Sequence, residues 1–89
     1  MKAIVTVIGK DKVGITANVC VLLAQHNINI LDITQTVLQE YFTMVMLVDL
    51  SKMKISFKEM TELLNRTGEE MGMEIRMQRS EIFDAMHRL

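Results

Sequence analysis

Twice in 89 residues a β-branched run gives way to a helical stripe and then to another strand-like run, and this alternation restricts the fold more than any other feature. Residues 2–8 (KAIVTVI) are apolar on both alternating faces apart from Thr6, the pattern of a central strand. Ile15, Val19, Leu22, Leu23 and His26 then recur at helical spacing, with Ala17, Cys20, Val21 and Ala24 widening the stripe, and predict a helix over residues 13–26. Residues 28–38 mix Ile30, Leu31 and Ile33 with Asp32, Thr34, Gln35 and Thr36, the half-polar texture of an edge strand. Residues 42–50 (FTMVMLVDL) are nearly all apolar and form a hairpin with them, turning near Gln39, Glu40 and Tyr41 without an Asn-Gly pair to mark the turn.

The second helix is announced by its cap. Ser56 and Glu59 have capping-box spacing, Ile55 is placed to staple onto Met60, and Phe57, Met60, Leu64, Thr67 and Met71 make the buried stripe that Gly72 ends. Residues 73–78 then alternate Met73, Ile75 and Met77 inward with Glu74, Arg76 and Gln78 outward, an edge strand with one wet face.

The order β-α-β-β-α-β with right-handed crossovers specifies an α+β, ferredoxin-like fold: a four-stranded antiparallel sheet, first and third strands central, two helices on one face. One domain over residues 1–79 is expected, followed by a tail, 80–89, in which Ile82, Phe83, Met86 and Leu89 fall at the spacing of a short C-terminal amphipathic helix. Both central strands are apolar on both faces, whereas the helices cover one. The other face needs a cover, either the tail or a second subunit, and a domain this small favours a homodimer.

A net charge of −1 with acids and bases interspersed generates no field to concentrate nucleic acid or anionic membrane, so neither is expected as a partner. No apolar stretch approaches the length of a membrane span, and residues 1–9 show neither the long apolar core nor the small-residue cleavage site of an export signal. One cysteine and nine methionines sit comfortably in a reducing compartment, and the expected location is cytoplasmic.

The supply of catalytic groups is thin, and the chain does not read as an enzyme. His26 closes the first helix, where it complements the helix dipole, and His87 lies in the tail. Cys20 falls in the first helical stripe, where a buried cysteine acts as a small hydrophobe. Metal chaperones with this element order carry paired cysteines in the first loop, and residues 9–15 have none. Met44 and Met46 share a strand face with Phe42 and Val48 and read as core filler, so neither a metal nor a cofactor is expected. RNA-recognition modules need aromatic platforms that the first strand lacks, and acylphosphatases need an arginine where this loop offers only Lys10 and Lys12.

What remains is the corner between the first strand and the first helix. Gly9-Lys10-Asp11-Lys12-Val13-Gly14-Ile15 leaves a strand at one glycine and enters a helix at another, so free backbone N–H groups at the helix N-terminus face a pocket suited to an anion. Gly14 also meets the need for a tight turn, and Asp11 is a common turn or capping residue. Asn29 opens the second strand at the end where the first helix finishes, and its amide can read both a carboxylate and an amine.

Asp11-x-x-Gly14-Ile15, a helix of about a dozen residues, and Asn29-Ile30 on this element order resemble the ACT domain, a small-molecule sensing module of amino-acid metabolism. The resemblance spans about residues 2–79. Val5 to Ile15, Asn29 to Ile33 and Phe42-Thr43-Met44 are similar to stand-alone bacterial ACT proteins, which are themselves similar to the glycine-cleavage repressor type. The resemblance implies side-by-side or face-to-face dimers that hold an amino acid between the first loop of one subunit and the second strand of another. The implied ligand contacts are Lys10, Asp11, Val13, Gly14, Ile15, Asn29 and Ile30. Asn29 matches the ligand-reading asparagine of serine-sensing members, whereas Gly9 and Asp11 stand where those members carry a histidine and an asparagine. Asp11 repels a carboxylate and attracts an ammonium, which leaves open a ligand that is turned around, different in kind or absent. The alternative function is a dimeric, ligand-independent module that docks onto an enzyme or regulator through its tail or its apolar sheet face.

Overall fold

The computed structural model describes residues 1–81. Six elements follow one another: β1 (Lys2–Lys10), α1 (Ile15–Gln25), β2 (Asn29–Leu38), β3 (Tyr41–Asp49), α2 (Phe57–Met71) and β4 (Met73–Arg79). The strands form one antiparallel sheet in the order β2-β3-β1-β4, which puts the two most apolar runs in the middle. The expected βαββαβ architecture is therefore present. The amphipathic tail expected from Ile82, Phe83, Met86 and Leu89 lies outside the described residues.

One face of the sheet carries the core. Ala3, Val5 and Val7 of β1, Phe42, Met44, Met46 and Val48 of β3, and Met73, Ile75 and Met77 of β4 are all buried beneath the helices. Alternation sends their neighbours to the opposite face, where register aligns Ile4 with Leu47, Thr6 with Val45, and Ile8 with Thr43. Ile8 is 46% exposed and Val45 36%, so among the described residues this second face is incompletely covered at its centre. Met44 and Met46 are fully buried between sheet and helices, as expected of core filler.

α2 forms as its sequence dictates. The Ser56 hydroxyl accepts from the Glu59 N–H at 3.0 Å, the Glu59 carboxylate accepts from the Ser56 N–H at 3.3 Å, and Gly72 closes the helix at φ 70°. Its inward stripe is narrower than expected: Met60, Leu64 and Gly68 are buried, while Phe57, Thr67 and Met71 are half-buried. Gly68 lies where a Cβ would come within 2.7 Å of the Met73 carbonyl oxygen, so the absence of a side chain lets β4 return directly beneath its helix.

α1 is shorter than the predicted span of 13–26. Gly14 precedes it with φ 87°, Val13 is fully exposed, and His26 already lies beyond its last turn. The far end closes by a Schellman arrangement: the Asn27 N–H donates to the Ala24 carbonyl at 3.1 Å and the Ile28 N–H to the Leu23 carbonyl at 3.0 Å. Asn27 takes the left-handed conformation, φ 60°, and buried Leu23 and Ile28 accompany the motif. Cys20, expected in the buried stripe, is only half-buried, because Ile15, Val19 and Leu23 define the inward line and Cys20 lies off it. The hairpin turn consists of Gln39 and Glu40 alone, with Gln39 at φ 55° and Tyr41 already paired to Leu38. A positive φ at a residue other than Gly, Asn or Asp explains why no turn signal appears in the sequence.

Candidate functional site

The β1–α1 corner is held by its neighbours on both sides. The Asp11 N–H donates to the Glu40 carbonyl at 2.7 Å, pinning the loop to the β2–β3 turn, and the Lys12 ammonium donates to the Met71 carbonyl at the end of α2. This cation serves an orphan carbonyl where the helix dipole is negative. The Asn18 N–H donates to the Gly14 carbonyl at 2.9 Å, closing the first turn of α1 and leaving the amides ahead of it without intrahelical partners. Gly14 supplies no side chain to cap them. The Thr16 hydroxyl reaches the Gln35 side-chain oxygen of β2 at 3.2 Å, so the start of α1 is tied to the second half of the edge strand.

The seven site residues expected from the sequence fall into two groups. Lys10, Asp11, Val13, Gly14 and Ile15 lie together at one end of the sheet, where Lys10 pairs with Tyr41. Val13 is free in solvent, Gly14 offers only backbone, and the Ile15 side chain is buried in the core, so Ile15 presents the corner with its amide alone. Asn29 and Ile30 lie at the opposite end, paired with Asp49 and Val48. The eight residue steps of β3 from Tyr41 to Asp49 put about 25 Å between the groups. Ile30 is half-buried against the core, whereas the Asn29 side chain is exposed on the other face. A single copy of the chain does not bring the two groups together.

Sequence reasoning missed what surrounds Asn29. Asn27, Asn29, Asp49, Ser51 and Lys52 line a polar recess of about 160 Å³ where α1 ends, β2 begins and β3 finishes. The Asp49 carboxylate accepts the Ser51 N–H at 3.0 Å. That bond and the Ser51 hydroxyl hold its pKa below the ordinary carboxylate value, against a small opposing desolvation, with help from the N-terminal ammonium and Lys2. The only sequence signal for this recess was an acid and a lysine flanking a serine at the end of an apolar strand. Pairing of Asp49 with Asn29 across the sheet is a non-local fact.

A larger groove of about 520 Å³ runs between α2 and the free edge of β4, away from every expected site residue, lined by Thr61, Asn65, Glu69, Glu74, Arg76 and Gln78 among others. Its one cation is paired, since the Arg76 guanidinium donates to Glu74 within the same strand. Among the described residues no cluster of three or more His, Cys, Asp or Glu side chains is arranged to hold a metal ion. No helix there is long and apolar enough to cross a membrane.

A ferredoxin-like sheet, a glycine-closed β1–α1 corner and an asparagine opening β2 define a class, and the chain belongs to it: the ACT domain family, whose model matches residues 2–78. Within that family it is 54% identical to a UPF0237 protein of Clostridium acetobutylicum over 89 residues, with each chain covered completely. An ACT domain protein from Streptococcus pneumoniae has a similar structure, with a TM-score of 0.83, 45% identity and 98% of each chain covered. A putative glycine cleavage system transcriptional repressor matches with a TM-score of 0.70 and 25% identity, over 86% of this chain and 44% of that one. ACT domains are typically regulatory, ligand-binding modules.

One departure from the serine-sensing pattern has a structural reason. A Cβ at Gly9 would lie 2.5 Å from the Met73 sulfur and 3.3 Å from the Gly72 carbonyl oxygen, so a histidine at this position requires the Met73 thioether to swing aside.

Proposed function

We propose that this chain is a non-enzymatic regulatory domain that binds an amino acid at the interface of a homodimer, between the β1–α1 corner of one copy and the start of β2 of the other. Strand polarity carries this reading. Among the described residues β2 is an unpaired edge, and two copies joined antiparallel along it bring Asn29 of each to the end of the sheet where its partner's Lys10, Asp11 and Gly14 lie. The edge is suited to such pairing: Ile33 is 41% and Val37 54% exposed on the helix side. Thr16 touches β2, so Cys20 and Ala24, which follow it at four-residue spacing on α1, extend the same flank with small side chains. The free amides ahead of Asn18 and the Lys10 and Asp11 side chains give the corner polar groups with which to meet the part of the ligand that reaches it.

The test is a thermal-shift survey of the twenty standard amino acids on the intact dimer. A ligand at 100 times its dissociation constant adds about 2.7 kcal/mol of stability, a shift of several degrees in a domain of this size. No shift with any of them removes the ligand from the account.

A second reading, a ligand-independent dimeric module that docks onto an enzyme or regulator, is favoured by one observation, the exposed centre of the second sheet face around Ile8 and Val45. Truncation after Arg79, which removes the tail, combined with Val45→Lys, which charges the sheet face, separates the readings. The docking module loses its dimer or its copurifying partner, and the amino-acid sensor retains its thermal response.

A further inference from the structure

We infer that the recess formed by Asn27, Asn29, Asp49, Ser51 and Lys52 is a head-group site for a free α-amino acid, with Asp49 receiving the ammonium, Lys52 the carboxylate and the two asparagine amides bridging between them. This rests on the amino-acid reading above and adds to it Asp49 and Lys52, which the family resemblance does not supply.

Four observations carry the assignment. First, the recess brings one anionic and one cationic side chain together with two amides that donate and accept, a donor set complementary to a zwitterion and poorly matched to a simple acid or amine. Second, the Asp49 carboxylate accepts the Ser51 N–H and its Oδ1 lies 4.0 Å from the N-terminal ammonium, and with about four acceptor positions it retains room for a ligand ammonium. Third, the frame is rigid where it matters. Asn27 is locked by the Schellman closure of α1, and Asn29 and Asp49 are opposed across the β2–β3 ladder. Fourth, the size fits. The recess of about 160 Å³ is several times the space one water needs, and an α-amino acid head group is a compact group of five heavy atoms. A side chain on the ligand would project out of the recess, toward whatever covers the sheet end in the dimer. The head group is thus read within one copy and the side chain by the other.

Calorimetric titration with the twenty standard amino acids tests this on the wild-type dimer and on Asp49→Asn, Lys52→Met and Lys54→Met. Lys54 is exposed in the same loop but does not line the recess. For every amino acid that binds, the inference expects Asp49→Asn and Lys52→Met each to weaken affinity at least tenfold, and Lys54→Met to leave it unchanged. N-acetyl and carboxamide derivatives of the same amino acid should also lose at least tenfold. Melting curves without ligand show that each variant is folded, and Lys52→Met keeps the test decisive if Asp49→Asn is not. If an amino acid binds the wild type and both recess variants equally well, the head-group assignment is wrong while the regulatory reading survives. If no amino acid binds the wild type, both fall together.

Discussion

At the scale of single residues, two glycines do opposite work and predict opposite dependences on space. Gly14 sits at φ 87° with its nearest non-neighbouring atom 3.7 Å from a built Cβ, so Gly14→Ala meets no clash and costs only the left-handed backbone, about 1–2 kcal/mol in urea unfolding. Gly68 is in helical conformation, where alanine is intrinsically better by about 1 kcal/mol, yet its Cβ would press on the Met73 carbonyl. Gly68→Ala should therefore destabilise, by about 1–3 kcal/mol, despite the gain in helix propensity. A stabilised Gly68→Ala would mean that β4 does not lie this close to α2. Asp49 carries a pH signature. Its folded pKa is depressed, so its contribution is complete above the unfolded value and fades as pH falls through the folded one. The gap in melting temperature between wild type and Asp49→Asn should be constant above about pH 5 and close below the ordinary value of 3.8. The group is solvent-exposed, so the gap is small and shrinks in high salt.

At the scale of elements, the ends of α2 decide its stability. Ser56→Ala removes the acceptor for the Glu59 N–H and should cost about 1 kcal/mol, read from the denaturant midpoint at unchanged slope. Elements of this kind were legible in the sequence because their determinants are local. The capping box is four consecutive residues, Met73, Ile75 and Met77 alternate within one strand, and Gly72 stops a helix by its own φ preference. What was not legible is non-local. Gly68 is buried because β4 passes under it, and Cys20 is half-exposed because α1 turns on the line through Ile15, Val19 and Leu23. The two-residue turn at Gln39 uses a backbone conformation that its sequence does not advertise. The candidate site divides in the same way. Gly14 and its corner could be read directly, and Asn29 through a family pattern, whereas Asp49 and Lys52 enter only once the β2–β3 register sets Asp49 opposite Asn29.

At the scale of the whole molecule, two apolar regions are incompletely covered among the described residues: the β2 edge with Ile33 and Val37, and the second sheet face with Ile8 and Val45. They correspond to the side-by-side and face-to-face dimers, and a charge placed on each discriminates between them. In sedimentation velocity Val37→Lys should yield a monomer, because it puts a charge without an opposite partner into the apolar seam along the β2 edge, while Val45→Lys should leave the dimer intact. The reverse outcome would assign the dimer to the sheet face and separate Asn29 from the partner's corner.

The central claim is that each binding site is shared between two chains, and complementation measures it directly. Asn29→Ala disables one half-site and the double change Lys10→Ala with Asp11→Ala the other, so each variant alone should bind no amino acid. Mixed in equal amounts and allowed to exchange, they form heterodimers in half of all pairings, each with one intact site of two. Calorimetric titration of the mixture with an amino acid that binds the wild type should then recover about one quarter of the wild-type sites at wild-type affinity. A mixture as inert as its two components would contradict a shared site, as would full binding by either variant alone.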